Sequence, residues 1–263
     1  MSPLTELSLT GRVATPADPD WDQARQAWNL AVDQHPAAVA FAEGADDIAA
    51  VIRYAAAHEL KLLGQTTGHG AAPVGPVEDT IVIKTERMRG IEIDRGAMTA
   101  RIEAGVLAME LAVAAQEAGL CFLPGSSPNI GVTGYTLGGG LGWLGRHYGF
   151  ACNRVEALEV VTADGESRLI DRESEPELFW AMRGGGGSYA IVSAMHLRLL
   201  PIAEAFGGAL VFPAEVGAEA VRTYRDWAAT APEEISTRIR FLRPPPLPDV
   251  PEPLRDKPLL TID

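Results

Sequence analysis

The first third of the chain alternates between short apolar runs and segments whose apolar residues recur at helical spacing. Residues 36–43 (PAAVAFAE) form an apolar run that predicts a buried strand. A helix is predicted next, with Asp46 and Asp47 as its cap and apolar residues at helical spacing over 48–56. The remaining predicted elements are a short helix at 21–34 and strands at 60–64 and 80–84.

The middle and the end of the chain carry the same two kinds of pattern. The predicted elements are a hairpin of 91–94 and 99–106 with a turn at Arg95-Gly96, a helix at 107–119, a strand at 120–123, a hairpin of 155–162 and 167–170, a helix at 176–182, and a strand after the glycines at 184–187. The pattern then restarts with a strand at 208–212, a helix at 215–229 and a strand at 236–242. Leu259 and Leu260 follow a proline-rich tail and open a further strand, so we expect the last domain to be incomplete.

One stretch, residues 124–149 (PGSSPNIGVTGYTLGGGLGWLGRHYG), places glycines among large apolar residues. A flexible surface linker would carry serine and charge between its glycines. Glycine between large apolar residues instead indicates backbone that packs closely against a neighbour. Because successive amides in tight glycine turns form concave nests for anionic oxygen, the stretch predicts a bound cofactor with a diphosphate.

Within this stretch, Gly140, Gly142 and Gly145 match GxGxxG, the fingerprint of dinucleotide-binding proteins. That fingerprint needs a hydrophobic strand directly before it and an acidic residue about 20 positions later. Glu159 and Asp164 lie downstream, but more glycine loop precedes the match. A nicotinamide-binding dehydrogenase is therefore an alternative that the missing strand disfavours.

A second glycine-containing segment, residues 64–76 (GQTTGHGAAPVGP), lies between two predicted strands. It has no apolar period and ends in proline, so it is predicted to be a loop. Glycines and hydroxyls around His69 are typical of a cofactor loop. A solvated histidine is the favoured interpretation for an isolated loop, but the glycine stretch downstream favours the cofactor.

Composition and net charge limit the kinds of partner and the cellular compartment that we expect for this chain. The net charge of −13 disfavours a nucleic-acid partner. Cys121 and Cys152 have no metal-type spacing and fit a reducing compartment. The N-terminus lacks the features of a signal peptide, and no run reaches the ~18 apolar residues of a membrane span. We therefore expect a cytoplasmic protein that binds neither metal, membrane nor nucleic acid.

Four segments carry a family resemblance in a fixed order: GQTTGHGAAP, GSSPNIGVTGYTLGGGLGWLGRHYG, GFACNRVEALEVVTADG and ELFWAMRGGGGSYAIVSAMHLRLLP. They span residues 64–201, and the flanking strand and helix pattern extends the match to about residue 35. Each segment alone is a weak motif, whereas the ordered set is specific. The chain resembles flavin-linked oxidases of the vanillyl-alcohol-oxidase and p-cresol-methylhydroxylase (PCMH) superfamily, within its berberine-bridge-enzyme-like bacterial branch.

The resemblance implies an α+β (mixed α/β) fold. We expect an N-terminal extension at 1–34, a two-subdomain PCMH-type FAD-binding domain at 35–203, and a partial α+β substrate domain at 204–263. It also implies that backbone amides of loop 64–70 wrap the FAD diphosphate. Many members link FAD covalently through the histidine at the position of His69. Ser127 stands where some members have a cysteine for a second link, and serine cannot form that thioether, so one covalent link at most is implied.

The residues that the resemblance places around FAD lie in loop 64–70, in the glycine stretch, and after the glycines at 184–187. They are Gly64, Gln65, Thr66, Thr67, Gly68, His69, Gly70, Pro124, Gly125, Ser126, Ser127, Gly131, Val132, Thr133, Gly134, Tyr135, Leu137, Gly138, Gly139, Gly142, Trp143, Ile191 and Val192. A packing role is an equal alternative for Tyr135 and Trp143. Residues 65–67 replace the arginine and glycine pair that is usual in the family, so hydroxyls, the Gln65 amide and backbone amides are expected to bind the phosphates.

The implied reaction is oxidation of an alcohol, sugar or secondary metabolite by hydride transfer to FAD, with electrons passed to oxygen or another acceptor. The family's base commonly comes from a C-terminal segment beyond the matched region, so we assign none. Tyr135, His147 and Tyr148 in the glycine stretch fit packing better. The alternative is a truncated family member that binds FAD without catalysis.

Overall fold

The computed structural model describes residues 7–263, and the chain divides into two compact units. The first contains the chain up to Gly142 together with Phe150–Ala203, and the second contains Trp143–Gly149 and Glu204–Asp263. The first six residues of the predicted N-terminal extension lie outside the described part. Among the described residues, no helix is both long and apolar enough to cross a bilayer.

A mostly parallel four-stranded sheet forms the first half of the first unit. Its strands are β1 (Arg12–Ala14), β2 (Ala38–Phe41), β3 (Lys61–Gln65) and β4 (Thr80–Lys84), in the order β1-β2-β4-β3. Strands β2, β4 and β3 run parallel, and β1 pairs antiparallel with β2 at the edge. Both central strands, β2 and β4, are buried along their whole length, which explains their continuous apolar sequences.

Helices cover both faces of this sheet. Helix α2 (Ala45–Ala57) packs Ile48, Val51 and Ile52 into a buried cluster with residues of β2 and β4. On the opposite face, Ala24 of helix α1 (Trp21–Arg25) packs in a smaller buried cluster with β2 and β4. Helix α2 connects the parallel strands β2 and β3, and such connections place a helix on one face of the sheet, whereas α1 covers the other face from the segment before β2.

Two predictions for this half are wrong in detail. The helix predicted at 21–34 ends at Arg25, because Gln26 is extended and the backbone N–H of Trp28 donates to Thr67 O at 2.8 Å. Asp46 and Asp47 lie inside α2, and its N-cap is Gly44. The Asp47 carboxylate instead accepts backbone N–H groups of Thr10, Gly11 and Glu43, so it fastens the segment before β1 to the helix.

A five-stranded antiparallel sheet forms the second half of the first unit. Its strands are β5 (Ile91–Asp94), β6 (Thr99–Glu103), β7 (Val155–Val161), β8 (Ser167–Asp171) and β9 (Ile191–Arg198), in the order β5-β6-β9-β7-β8. Helices α3 (Ala108–Glu117), α4 (Val132–Leu137) and α6 (Pro176–Gly185) contribute to the large apolar core against it. Both predicted hairpins are confirmed. Residues 120–123, predicted as a strand, form only the single bridge between Cys121 and Leu200.

The glycine stretch is less irregular than its composition suggests. It contains helix α4 in the first unit and the one-turn helix α5 (Gly145–Tyr148) in the second. Helix α4 forms because its apolar face, Val132 and Leu137, enters the core of the antiparallel sheet. No strand precedes the GxGxxG match, as expected, and the preceding element is this helix.

The second unit contains a three-stranded sheet and one long helix. Strands β10 (Leu210–Pro213) and β11 (Ile239–Leu242) both pair antiparallel with β12 (Leu259–Ile262), which lies between them. Helix α7 (Gly217–Ala228) connects β10 to β11. The predicted helix and strands exist here with shifted ends, and the apolar residues at 259–260 are part of β12.

Candidate cofactor site

Three segments that are distant in sequence meet in the first unit. A Cβ atom added to Gly131, at the start of α4, would lie 2.8 Å from the Thr66 side chain in loop 64–70. One added to Gly64, in β3, would lie 3.1 Å from Cδ1 of Ile191, the first residue of β9. The two loops and the strand that the sequence singled out therefore contact one another, and Gly131 is required for the close approach.

The loop begins where a parallel strand ends. Strand β3 ends at Gln65, and the carboxyl ends of parallel strands are where α/β sheets bind ligands. The Thr66 hydroxyl donates to Ala104 O at 2.9 Å and lies 2.9 Å from the Thr85 hydroxyl. The Val132 N–H donates to Val106 O at 2.9 Å, which fixes the start of α4 against the same region.

The glycine stretch packs around the Tyr135 ring. A Cβ atom on Gly125 would lie 3.0 Å from this ring, and one on Gly142 would lie 1.9 Å from Pro124 O. The Tyr135 hydroxyl is buried without a hydrogen-bond partner, and burial raises the pKa of this phenol to about 12. Tyr135 therefore packs inside the loop and keeps its proton at neutral pH.

His69 is held on two sides. Its Nδ1 lies 2.8 Å from the Thr67 hydroxyl, and its ring stacks on Trp28 with centroids 3.9 Å apart and planes inclined by 11°. Its Nε2 is buried without a hydrogen-bond partner. Burial lowers the pKa of His69 below its ordinary value, and the Asn129 side chain opposes that shift. Burial therefore favours the neutral imidazole, and His69 is not a solvated loop histidine.

Among the described residues, eight buried side-chain polar atoms have no hydrogen-bond partner, and four of them lie in the predicted site. These four are Gln65 Nε2, His69 Nε2, Thr133 Oγ1 and Tyr135 Oη, and the others belong to Gln34, Arg240 and Thr261. A buried polar atom without a partner costs about 1–3 kcal/mol, so most such atoms in proteins have a partner or meet a ligand. These four supply donors and an imidazole nitrogen, which suits a cofactor with many polar oxygen and nitrogen atoms.

Gly134 leaves open space beside these atoms. It lies inside α4, where alanine would be more favourable, and no atom lies within 4 Å of the position of an added Cβ. The same holds for Gly70, whereas the φ of +105° at Gly139 by itself favours glycine there. Packing does not explain Gly70 and Gly134, whereas a bound group close to the backbone would. By this test the residues present fit an extended polar cofactor such as FAD.

Several predicted binding groups are already engaged within the protein. The amides of Gly138 and Gly139 close α4 by donating to Gly134 O and Thr136 O. The Thr66 and Thr67 hydroxyls, expected to bind phosphate, contact Ala104 O and His69 Nδ1 within the protein. Because loop 64–70 is packed against its neighbours, its hydroxyls serve to shape it. The Gln65 amide nitrogen has no partner and is the polar side-chain group in residues 65–67 that is left for a ligand.

Other predicted residues have contacts that do not by themselves indicate a cofactor. The Ser127 hydroxyl donates to the Asn129 side chain at 2.9 Å. The Leu137 carbonyl accepts the N–H of Gly186, which joins α4 to the second glycine run. Val192 is buried in β9. Trp143 belongs to the second unit, where the Arg238 guanidinium lies 4.6 Å from its ring centroid.

The sequence patterns missed two residues next to the loop. Trp28 lies in the segment predicted as a helix, and its indole reaches His69 only because the chain leaves α1 at Gln26. For Lys84, at the end of β4, the sequence pattern predicts only a place in a strand. Lys84 lines a cavity of about 670 Å³ together with Trp28, Thr66 and Thr67. Burial lowers the pKa of Lys84, whose ammonium donates to Gln26 O at 2.9 Å.

Comparison with known proteins gives the family. The model of the FAD binding domain family matches residues 36–170. The chain is 32% identical over 195 residues to (R)-6-hydroxynicotine oxidase of Paenarthrobacter nicotinovorans, covering 74% of this chain and 43% of that protein.

Two solved structures resemble the chain closely. The 6-hydroxy-D-nicotine oxidase of Arthrobacter nicotinovorans has a TM-score of 0.85 at 27% identity, over 97% of this chain and 55% of that one. Glucooligosaccharide oxidase of Acremonium strictum, described with a 6-S-cysteinyl, 8α-N1-histidyl FAD, has a TM-score of 0.78 at 25% identity, over 95% and 52%. The chain thus spans about half the length of the relatives it matches.

These findings agree with the expected fold and cofactor and do not favour the nicotinamide alternative. The predicted α+β fold is confirmed, since the neighbours are PCMH-type flavoproteins. Curated relatives are FAD-linked oxidases and oxidoreductases, so FAD is the cofactor of the group. The chain belongs to the FAD binding domain family, within the group of PCMH-type flavoproteins whose curated members are named FAD-linked oxidoreductases and oxidases.

Proposed function

We propose that the first unit binds FAD between loop 64–70, helix α4 and the start of β9, as the cofactor-binding part of an FAD-dependent oxidoreductase. The observation that carries this proposal is the set of buried, unpartnered polar atoms on Gln65, His69, Thr133 and Tyr135. When bound, FAD supplies the redox chemistry by accepting a hydride from a substrate C–H bond and passing the electrons to oxygen or another acceptor.

The chain's own groups have separate tasks in this site. The Gln65 amide and the Tyr135 hydroxyl are hydrogen-bond donors without partners in the protein. The Tyr135 phenol stays protonated through neutral pH, so it binds as a donor and does not act as a base. Gly134 lets the cofactor approach the backbone of α4. We assign no base among these residues.

We further propose that His69 bonds covalently to the flavin. A neutral imidazole nitrogen with a lone pair is needed to form such a bond, and burial favours the neutral form of His69. The C–N bond would replace one C–H bond of the flavin 8α-methyl with loss of a proton, and the two electrons released would pass to the flavin ring and then to oxygen. The histidyl flavin named for glucooligosaccharide oxidase supports this role. Ser127 has a hydroxyl where a thiol would be needed for a second link, so one link is expected.

The substrate is proposed to be a small molecule with an oxidisable carbon next to oxygen or nitrogen. Relatives named as oxidases of 6-hydroxynicotine and of glucooligosaccharides support this class. Oxygen is the proposed acceptor in the first instance, because both of these relatives are named oxidases.

The visible spectrum of the purified chain tests the proposal. Flavin absorbance that co-purifies, or that appears after incubation with FAD and gel filtration, is the expected result. Absorbance that persists through denaturation and desalting indicates the covalent link, and it should disappear in His69→Ala but persist in His35→Ala, a change at an exposed histidine. A chain that takes up no FAD would contradict the proposal, and FAD lost on denaturation would remove only the covalent role of His69.

A further inference from the structure

Trp28 is attached to the cofactor loop although it lies about forty residues earlier in the chain. Its backbone N–H donates to Thr67 O at 2.8 Å, and its indole stacks on His69 with centroids 3.9 Å apart. The residue is 54% exposed, so its indole contributes little to a core. Because the indole is half exposed and stacks in parallel on the His69 imidazole, its main contact is with that ring.

The backbone beside this stack is tightly packed. Gly68 has a φ of +82°, and a Cβ atom there would lie 2.8 Å from Cβ of Ala27. Only glycine therefore lets loop 64–70 lie directly on the segment of Ala27 and Trp28. The distance between the Trp28 and His69 rings follows from this backbone contact and is not set by side-chain packing alone.

One side-chain hydrogen bond orients the ring of His69. The Thr67 hydroxyl lies 2.8 Å from Nδ1, which leaves Nε2 as the buried nitrogen without a partner. Asn129 is the other side chain that acts on the ring. Trp28, Thr67 and Asn129 have no charge near neutral pH, so the environment of His69 is set by burial and orientation.

We propose that Trp28 is a positioning residue for His69, whose indole holds the imidazole plane and shields it so that Nε2 faces the cofactor. The predicted effect of Trp28 on the flavin link rests on the proposed covalent role of His69. The predicted effect of Trp28 on the pKa of His69 does not, because it is measured without flavin. Stacking of nearly parallel rings combines apolar burial with a preferred geometry, and an aliphatic side chain retains only part of the burial.

Titration of the His69 imidazole in the flavin-free chain tests the proposal. Histidine-labelled protein is followed by NMR, with His69→Ala assigning the signal. Because Trp28 shields the ring, we expect Trp28→Leu to raise the His69 pKa towards the ordinary 6.5, and Trp28→Phe to keep it close to that of the parent chain. Trp180→Leu, at an exposed tryptophan of α6, is the matched control and should change nothing. An unchanged His69 titration in Trp28→Leu would overturn the proposal.

The extent of flavin linkage gives the second readout. After incubation with FAD, bound flavin is measured before denaturation and linked flavin after it. We expect Trp28→Leu to retain bound FAD but to lose at least tenfold in linked flavin, whereas Trp28→Phe and Trp180→Leu resemble the parent chain. Linked flavin at the parent level in Trp28→Leu would also overturn the proposal.

Failure of the proposed function gives a different result. If the parent chain binds FAD without a link, the covalent role of His69 is wrong, and the imidazole titration alone decides whether Trp28 positions the ring. Should Trp28→Leu fail to fold by circular dichroism, Trp28→Met makes the same comparison with an unbranched apolar side chain. A parent-like His69 pKa in that folded variant counts against the positioning role.

Discussion

At the scale of single residues, burial determines what the side chains around the cofactor loop can do. Burial lowers the pKa of the His69 imidazole and raises that of the Tyr135 phenol to about 12. Neither shift is visible in the sequence, where both residues are only polar groups near glycines. The four unpartnered atoms are costly to the flavin-free chain, and we expect this cost to be offset when FAD supplies their partners.

Tyr135→Phe tests this at one atom. Removing an unpartnered buried hydroxyl should leave the free energy of unfolding of the flavin-free chain unchanged or raise it by about 1 kcal/mol. The same change removes a donor to FAD and should weaken FAD binding. Urea unfolding and FAD titration are the two measurements, and a strongly destabilised flavin-free Tyr135→Phe would contradict the assignment.

The raised pKa of Tyr135 also predicts how the stability of the parent chain and of Tyr135→Phe depends on pH. The folded pKa of Tyr135, about 12, lies above the ordinary 10. The unfolded chain therefore loses this proton first, and stability is lost as pH rises from 10 towards 12. Tyr135→Phe should lose less stability than the parent chain over that interval, with equal behaviour below pH 9.

At the scale of elements, α4 combines a packing role with open space for a ligand. Gly134→Ala replaces a glycine inside this helix, where alanine is favoured by about 1 kcal/mol and the Cβ meets no atom. We expect the flavin-free variant to unfold at a higher temperature. Its FAD affinity should fall about tenfold, which corresponds to a clash of about 1.4 kcal/mol. Gly207→Ala, at another open glycine but in the second unit, is the control and should bind FAD normally.

The antiparallel sheet carries an ion-pair network across its strands. Arg101 of β6 donates from Nε and Nη2 to Glu159 of β7, both at 2.7 Å, and His196 of β9 lies 2.9 Å from the same carboxylate. Hydrogen bonds from Arg101 hold the pKa of Glu159 below its ordinary 4.5. Glu159, one of the acidic residues that a dinucleotide fingerprint would need, therefore has a structural partner instead.

Glu159→Gln should lower the free energy of unfolding by about 1 kcal/mol at pH 7, a modest value because the pair is partly exposed. A carboxyl with a lowered folded pKa contributes stability above the unfolded pKa and loses it as pH falls through the folded value. The parent chain should thus lose more stability below pH 4.5 than the variant does. Glu92→Gln, which removes a more exposed and longer contact to Arg101 at 3.4 Å, is the matched control and should have little effect.

At the scale of the whole molecule, the proposed site belongs to one of the two units. FAD at 100 times its dissociation constant should stabilise the fold that binds it by about 2.7 kcal/mol. In hydrogen–deuterium exchange, we expect FAD to protect residues 64–70, 131–137 and the start of β9, and to leave β10 and α7 unchanged. Protection confined to the second unit would contradict the proposed location.

The sequence by itself determined the cofactor class, the order of most elements and the loops that meet. Ordered motifs identified the PCMH-type family, because a diphosphate needs glycine backbone in a few fixed places. Apolar periods located β2, β4, α2 and both hairpins, because each of these elements buries a continuous face.

Only the tertiary structure decided which groups of those loops are engaged within the protein and which are free to bind a ligand. Whether an amide or a hydroxyl is free depends on the folded neighbours of that group, which the sequence does not show. The sequence therefore predicted that the Thr66 and Thr67 hydroxyls bind phosphate, whereas in the structure both form contacts that shape the loop. The sequence pattern placed Trp28 in a helix, because periodicity does not reveal that the backbone N–H of Trp28 donates to Thr67 O. The stack on His69 and the open space beside Gly134 likewise arise from long-range packing, which no local pattern encodes.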